Sequence, residues 1–240
     1  MARNFVLLLT GTIDPDNMAF TKLLDKDSRR AQYLDAIRFW LEKIDFPIVF
    51  VENSGNDLSA EFSKEIAERR IGVYTFNGNE YNREIGKGYG EMLCIEHAFQ
   101  HSPEIKNAGF IFKATGRHKV LNFETYRKQV AEDEEINLLI NFYGFLKNCD
   151  SRFFGFSPDF VPRFLSKHKG NLNDSDWVFF ENVLSSAALE AIAQEYNFRP
   201  LREYLRIDGS SGTLGIKYNS GYLSWFKNNL GYKKKNKSFE

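Results

Sequence analysis

The first half of the chain alternates short apolar runs with amphipathic stretches. In "NFVLLLTGT" the apolar run from Phe5 ends at Thr10-Gly11-Thr12, the pattern of a strand entering a loop. Between Ser28 and Ile44, the residues Leu34, Ile37, Leu41 and Ile44 fall at helical spacing. "FPIVFVENSG" is a second strand that ends at Glu52-Asn53-Ser54, and "IGVYTFNG" is a third. A charged, exposed helix is predicted between them, from Ser59 to Arg70. "GKGYGEMLCIEHAFQHS" opens on glycines and then places Met92, Ile95 and Phe99 on one helical face. "GFIFKATG" is the fourth strand.

Strands alternating with helices predict a parallel, layered α/β sheet. In such sheets ligands bind outside the carboxyl ends of the strands. That rule selects Thr10 to Ile13, Glu52 to Ser54, Asn77 to Asn79 and Lys113 to Arg117. Beyond residue 125 the pattern is less regular. "INLLINFYGFL" and "SRFFGFSP" read as strands. "DWVFFENVLSSAALEAIAQEY" reads as a helix with Phe180, Val183, Leu184, Ala187, Ala188 and Ala191 on its apolar face and Asp174 or Ser175 as N-cap. "LRIDGSSGTLGIKY" is a glycine-serine loop. The expected organisation is one domain over residues 1–225, with a nucleotide-binding half at 1–125, an acceptor-side half at 126–225 and a basic tail at 226–240.

Composition narrows the partners. Thirty-two basic residues balance 32 acidic ones, so affinity for an anion has to come from local clusters and no global field attracts nucleic acid. The two cysteines, Cys94 and Cys149, stand apart in apolar contexts and form no disulfide framework or zinc motif. With no signal-peptide pattern and no apolar run of the ~18 residues a membrane span needs, a cytoplasmic location is expected. The tail carries Lys233, Lys234, Lys235 and Lys237 beside aromatic residues and reads as a solvated basic tail, with weak contact with the inner face of a membrane as the alternative.

The stretch "FIFKATGRHKV", residues 110–120, joins a core strand to a glycine turn and a run of bases. Arg117 can clamp phosphate oxygens in a bidentate way, while Lys113 and Lys119 supply point charge. In "GKGYGE", residues 86–91, glycines at alternate positions open a helix whose start can attract an anion. The segment is neither a Walker A loop nor G-x-G-x-x-G. Asp-x-Asp, a pattern suited to Mg²⁺ or Mn²⁺ with a diphosphate, occurs three times: Asp14/Asp16, Asp25/Asp27 and Asp174/Asp176. The last two read as helix starts, so no metal site is assigned. His97 and His101 share a helix face without the His-Glu-x-x-His order, and "AEDEEIN" reads as a solvated charge run. Glu181, among Phe179, Phe180 and Val183, is a candidate general base, because apolar surroundings raise a carboxylate's pKa toward the useful range. Asp208 is a second candidate. No Ser/His/Asp or Cys/His nucleophile pattern stands out.

"FVLLLTGTIDP", "VFVENSG", "GKGYGE" and "FKATGR", in this order and spacing, resemble glycosyltransferases encoded in bacterial capsule and lipopolysaccharide O-antigen loci. The resemblance covers most of residues 5–220. It implies a GT-A (Rossmann-like) fold, a mostly parallel central sheet with helices on both faces. It further implies transfer of a sugar from a nucleotide-activated donor to a polysaccharide or lipopolysaccharide acceptor. By the resemblance, Thr10, Gly11 and Thr12 lie near the nucleotide, and Glu52, Asn53 and Ser54 where base or ribose is held. Lys87, Gly88, Tyr89, Gly90 and Glu91 lie beside the nucleotide. Lys113, Thr115, Gly116 and Arg117 fall where such enzymes place an Asp-x-Asp pair. The bases at that place suggest that cations stabilise the leaving diphosphate directly, with Arg117 acting in the reaction. Two rival readings are a nucleotidyltransferase and a non-catalytic nucleotide- or sugar-binding domain.

Overall fold

The computed structural model of the 240-residue chain describes residues 3–16, 18, 21–22, 24–211, 215–218 and 220–236. The strands are β1 (Phe5–Gly11), β2 (Ile48–Glu52), β3 (Ile71–Thr75), β4 (Phe110–Thr115), β5 (Lys119–Val120) and β6 (Leu138–Leu139). They continue with β7 (Phe142–Tyr143), β8 (Asn148–Cys149), β9 (Phe153–Phe156), β10 (Phe198–Arg199) and β11 (Ile207–Asp208). The helices are α1 (Lys26–Lys43), α2 (Ser63–Ala67), α3 (Lys87–His101) and α4 (Pro103–Lys106). After these come α5 (Phe123–Glu132), α6 (Phe160–Arg163), α7 (Phe180–Ala193) and α8 (Tyr222–Asn236).

Seven strands form one sheet in the order β10-β6-β9-β4-β1-β2-β3. All pair in parallel except β9, which runs antiparallel to both β4 and β6. Two apolar cores cover the faces. One joins Leu7, Leu9, Phe50 and Phe112 to Tyr33, Ile37 and Trp40 of α1 and Phe123 of α5. The other joins Leu8, Val49 and Ile111 to Met92 and Ile95 of α3 and Val183 and Leu184 of α7. The expected mostly parallel sheet with helices on both faces is present, and it runs through both halves of the chain. The register sets Gly11 opposite Glu52, Thr10 opposite Thr115 and Glu52 opposite Thr75, so the polar strand ends form one edge.

Several local expectations change. The helix predicted over Ser59 to Arg70 is a 3₁₀ turn, Ser59–Phe62, followed by the short α2. The run "INLLINFYGFL" breaks into β6 and β7. Asp25 caps α1, accepting from the Ser28 N–H at 2.8 Å. Asp174 does not cap α7: that helix starts at Phe180, where Asn182 Oδ1 accepts from the Phe179 N–H at 2.9 Å. The predicted basic tail is largely helix. In α8, Trp225 donates to Tyr204 O at 2.7 Å, and Asn229 Oδ1 accepts from the Tyr204 N–H at 2.8 Å. These contacts dock one face of α8, while Lys237 lies outside the described residues.

Lys113 departs most from expectation. Side chains alternate along a strand, and Lys113 points into the core between α3 and α7. It is fully buried, ion-paired with Glu91 of α3, and donates to Ser151 O at 2.9 Å. The rings of Phe154 and Phe180 lie 5.6 and 5.9 Å from its ammonium. It therefore joins helix to sheet and does not face a ligand. Removing one partner of a buried pair strands the other charge, which costs about 3–5 kcal/mol. Glu91→Gln is expected to lower unfolding stability in urea by about 3 kcal/mol, and the double change Lys113→Met with Glu91→Leu to recover most of that loss.

Candidate functional site

At the carboxyl ends of β1 and β4 the chain forms a cleft, walled on the far side by the starts of α3 and α7. Its floor is braced by Glu52. This buried carboxylate accepts from the N–H groups of Ile13 at 2.8 Å, Ser54 at 3.0 Å and Asn56 at 2.8 Å, and from the Ser54 hydroxyl. Burial pushes the Glu52 carboxyl up, and those donors oppose the shift. The Thr12 hydroxyl donates to Asn53 Oδ1 at 2.6 Å, and Asn53 Nδ2 donates to Gly90 O at 3.2 Å. The Ser54 hydroxyl accepts from the Asp14 N–H at 2.9 Å. Glu52, Asn53 and Ser54 thus shape the loop after β1 and tie it to α3, instead of lining the cleft.

Cations dominate the lining. Arg117 follows Gly116, whose N–H donates to Thr10 O at 2.8 Å. A side chain at Gly116 would press on that carbonyl, since a Cβ there would lie 2.7 Å from it. The tight turn delivers a buried Arg117, whose guanidinium donates to Ser210 O at 2.7 Å and to Gln32 Oε1 at 3.4 Å. Arg29, on α1, is also buried and donates from Nε to Thr12 O at 2.8 Å. Lys87 is the first residue of α3. Burial lowers its pKa, while the charges of Glu181, Asp174 and Glu91 raise it. Arg152 is held by Asp150 through two hydrogen bonds of 2.8 and 2.6 Å. The charged side chains of the lining are Arg29, Lys87, Arg117 and Arg152 against Glu91 and Glu181. Such a cleft favours an anion.

Glu181 lies on the opposite wall. Its Oε1 accepts from the Ser151 hydroxyl at 2.8 Å. Lys113 holds the carbonyl of that same serine, so the buried pair positions Glu181 indirectly. Behind Lys87, the buried carboxylate of Asp174 packs against the first turn of α3 and is pushed up to about 6 by burial and by Glu181, against the pull of Lys87. Gly86, at φ +88°, is required here, because a Cβ would overlap that carboxylate. His118 is buried with Nε2 3.2 Å from Ser210 O, and burial followed by the Arg117 charge lowers its pKa to about 3. It is neutral at physiological pH.

Of the residues predicted from sequence, Thr10, Gly11, Thr12, Lys87, Gly90, Glu91, Thr115, Arg117 and Glu181 converge on the cleft. Gly88 and Tyr89 pack behind it; a Cβ on Gly88 would lie 3.1 Å from the Phe180 nitrogen. Asp208 stands apart. It pairs across β11 and β5 with Lys119 and sits 3.8 Å from Lys217. Lys119 itself bonds Asp35 at 2.5 Å. Arg29, Arg152 and Ser151 were missed. For Arg29 a signal existed: it continues the buried stripe Tyr33-Ala36-Ile37-Trp40, where a base is out of place.

The Asp-x-Asp pairs are spent elsewhere. Asp14 lies 3.7 Å from Lys26, Asp16 pairs with Arg83, and Asp25 is a cap. Among the described residues no three His, Cys, Asp or Glu side chains are arranged to hold a metal ion.

No protein-family model matches the chain, and no curated protein does. Solved structures align with most of the chain. One is a protein from Desulfovibrio desulfuricans G20 assigned as a nucleotide-diphospho-sugar transferase, at 11% identity and TM-score 0.48, covering 84% of this chain and 80% of that one. Core-mannan synthase A from Aspergillus fumigatus, in its Mn/GDP form, aligns at 12% identity and TM-score 0.45, covering 84% and 75%. The inositol-1-phosphate CTP transferase from T. maritima aligns at 13% identity and TM-score 0.41, covering 83% and 85%.

The raised pKa of Asp174 has a defined sign. A carboxyl titrating higher in the folded state favours folding while protonated, and that contribution is lost as pH rises from roughly 4 to 6. Thermal midpoints measured across this range should fall with pH in the wild type relative to Asp174→Asn. Parallel profiles would mean that Asp174 titrates normally.

Proposed function

We propose that the chain is a glycosyltransferase that moves a sugar from a nucleoside-diphosphate donor to the hydroxyl of a glycan acceptor. The observation that carries this reading is the cleft itself, where Arg29, Lys87 and Arg117 face Glu181 across the carboxyl ends of parallel strands. When the bond to the diphosphate breaks, negative charge grows on the leaving phosphate. Cations already fixed in place stabilise that charge in the transition state without reorganising. Arg29 and Arg117 are fixed by backbone carbonyls. The acceptor hydroxyl gives its proton to Glu181, which the Ser151 hydroxyl orients. No step is routed through a metal: among the described residues no three His, Cys, Asp or Glu side chains form a group that could hold one, and Glu91 is committed to Lys113.

A second reading is nucleotidyl transfer, in which the donor loses pyrophosphate. Arg29 favours it, because its bond to Thr12 O puts a base at the end of β1, where the sequence offers none nearby. The products separate the two: glycosyl transfer releases a nucleoside diphosphate, and nucleotidyl transfer releases pyrophosphate. The reading extends to an acceptor at the inner face of a membrane. In support, α8 turns Leu223, Phe226 and Leu230 outward among Lys227, Lys233 and Lys234 and contains no acidic residue. Co-sedimentation with vesicles containing anionic lipid, lost in high salt, is the expected result; equal binding to neutral vesicles would overturn it.

Thermal-shift screening against UDP, GDP, CMP, dTDP and their sugars, with and without Mn²⁺, should show stabilisation by one nucleotide class without need of metal. Arg117→Ala and Arg29→Ala are each expected to weaken that nucleotide by at least about 1.5 kcal/mol. Glu181→Gln should leave binding intact and slow transfer by roughly 10²–10⁴-fold. A shift that appears only with Mn²⁺ would contradict the cationic site.

A further inference from the structure

A second cavity lies apart from the cationic cleft, and its chemistry is the opposite. It measures about 290 Å³ and is walled by Phe142 and Leu146 of the β7–β8 hairpin, Leu189 and Ile192 of α7, Phe198 of β10 and Tyr232 of α8. None of its lining side chains is charged. Its two polar ones are engaged with each other: the Tyr232 hydroxyl is 2.7 Å from Asn141 Oδ1, which also accepts from the Leu201 N–H at 3.0 Å. An apolar cavity of roughly half this volume stays dry and binds benzene. The space suits a short aliphatic chain.

The hairpin links this cavity to the cleft. Gly144, Phe145 and Leu146 all have positive φ, at 59°, 56° and 65°. Bulky side chains rarely take that conformation, and strain of this kind persists only where the surroundings hold it. Here α7 holds it: Ser185 donates to Leu146 O at 2.6 Å, and Asn182 donates to Lys147 O at 3.1 Å. The result keeps Phe145 fully exposed and Leu146 half-exposed at the cavity mouth. Alternation along β7 sends Phe142 to the apolar cavity and Tyr143 to the other side. Tyr143 pairs with Asn148 across the hairpin, and Asn148 Oδ1 accepts from Asn182 Nδ2 at 2.9 Å, which seats Tyr143 beside the first turn of α7, where Glu181 stands; burial, then the charge of Glu181, raises the pKa of its hydroxyl. On α7, Leu189 and Ile192 follow Glu181 by roughly 12 and 16 Å of helix at 1.5 Å per residue.

We propose that this cavity takes the aliphatic chain of an amphiphilic acceptor, whose hydroxyl-bearing head passes Tyr143 into the cleft at Glu181. The proposal rests on the transferase reading for the head group, while the chain site stands on its own geometry. It makes the acceptor an amphiphile instead of a free sugar.

The test is calorimetric titration of the full chain with hexyl, octyl and decyl glucosides below their micellar concentrations, beside methyl glucoside. Burial of each methylene is worth about 0.8 kcal/mol, or roughly fourfold, so each added pair of carbons should tighten binding by about tenfold or more. Leu189→Asp and Leu146→Asp, both at exposed positions, should abolish that dependence and leave nucleoside-diphosphate binding unchanged. Affinity that ignores chain length, or survives both changes, overturns the chain site even if nucleotides bind. In Tyr143→Trp, emission should shift with octyl glucoside and not with methyl glucoside. No shift despite calorimetric binding would place the head elsewhere and overturn the acceptor role. Chain-length-dependent binding by a protein that takes no nucleoside diphosphate would overturn the acceptor role by removing the transferase reading, and would leave the chain site standing.

Discussion

The buried pair of Lys113 and Glu91 is the contact on which the geometry of the cleft depends. A lysine on a central strand is costly to bury unless its charge is met, and a single carboxylate on α3 meets it. The pair is therefore a constraint on position: α3 must sit at the one height along β4 where the two ends touch. That height also sets where the glycine-rich start of α3 faces the strand ends. The second bond of Lys113, to Ser151 O, carries the same constraint to the hydroxyl that orients Glu181. One desolvated ammonium thus fixes both walls of the cleft.

The cations that face the cleft follow a second rule. Arg29 and Arg117 are buried, and each is oriented by a backbone carbonyl. A carbonyl orients a guanidinium without neutralising it. Donors fixed in this way need no rearrangement when a ligand arrives. Arg152, whose Nε and Nη2 both donate to Asp150, is held by a carboxylate instead. Glu52 applies the same logic in reverse, collecting the N–H groups of a loop that would otherwise leave them unpaired.

Helix α7 connects the two regions of opposite chemistry. Its first turn presents Glu181 among charges, and its third and fourth present Leu189 and Ile192 to an apolar space. The same helix pins the strained hairpin that links them.

Local pattern determined the strands β1 to β4, the helices α1, α3 and α7, and the order in which they alternate, because periodicity and glycine punctuation act over a few residues. It also determined which strand ends carry polar residues, and from these the cleft residues Thr12, Thr115 and Arg117 were legible, as Lys87 was from a glycine-rich helix start and Glu181 from its apolar neighbours on a helix. Tertiary structure decided the use of each charge. Lys113 and Arg117 stand four residues apart on one basic stretch, yet packing by α3 buries one in an ion pair and leaves the other facing the cleft. Arg29 and Arg30 are neighbours on α1, and only the turn of the helix against the sheet separates a cleft residue from a surface pair with Glu61. Asp174, a helix cap by sequence, serves a different helix because the fold brings Gly86 against it. A residue's type is local, but its partner is set by which element packs over it, and that is fixed only when the whole sheet is assembled.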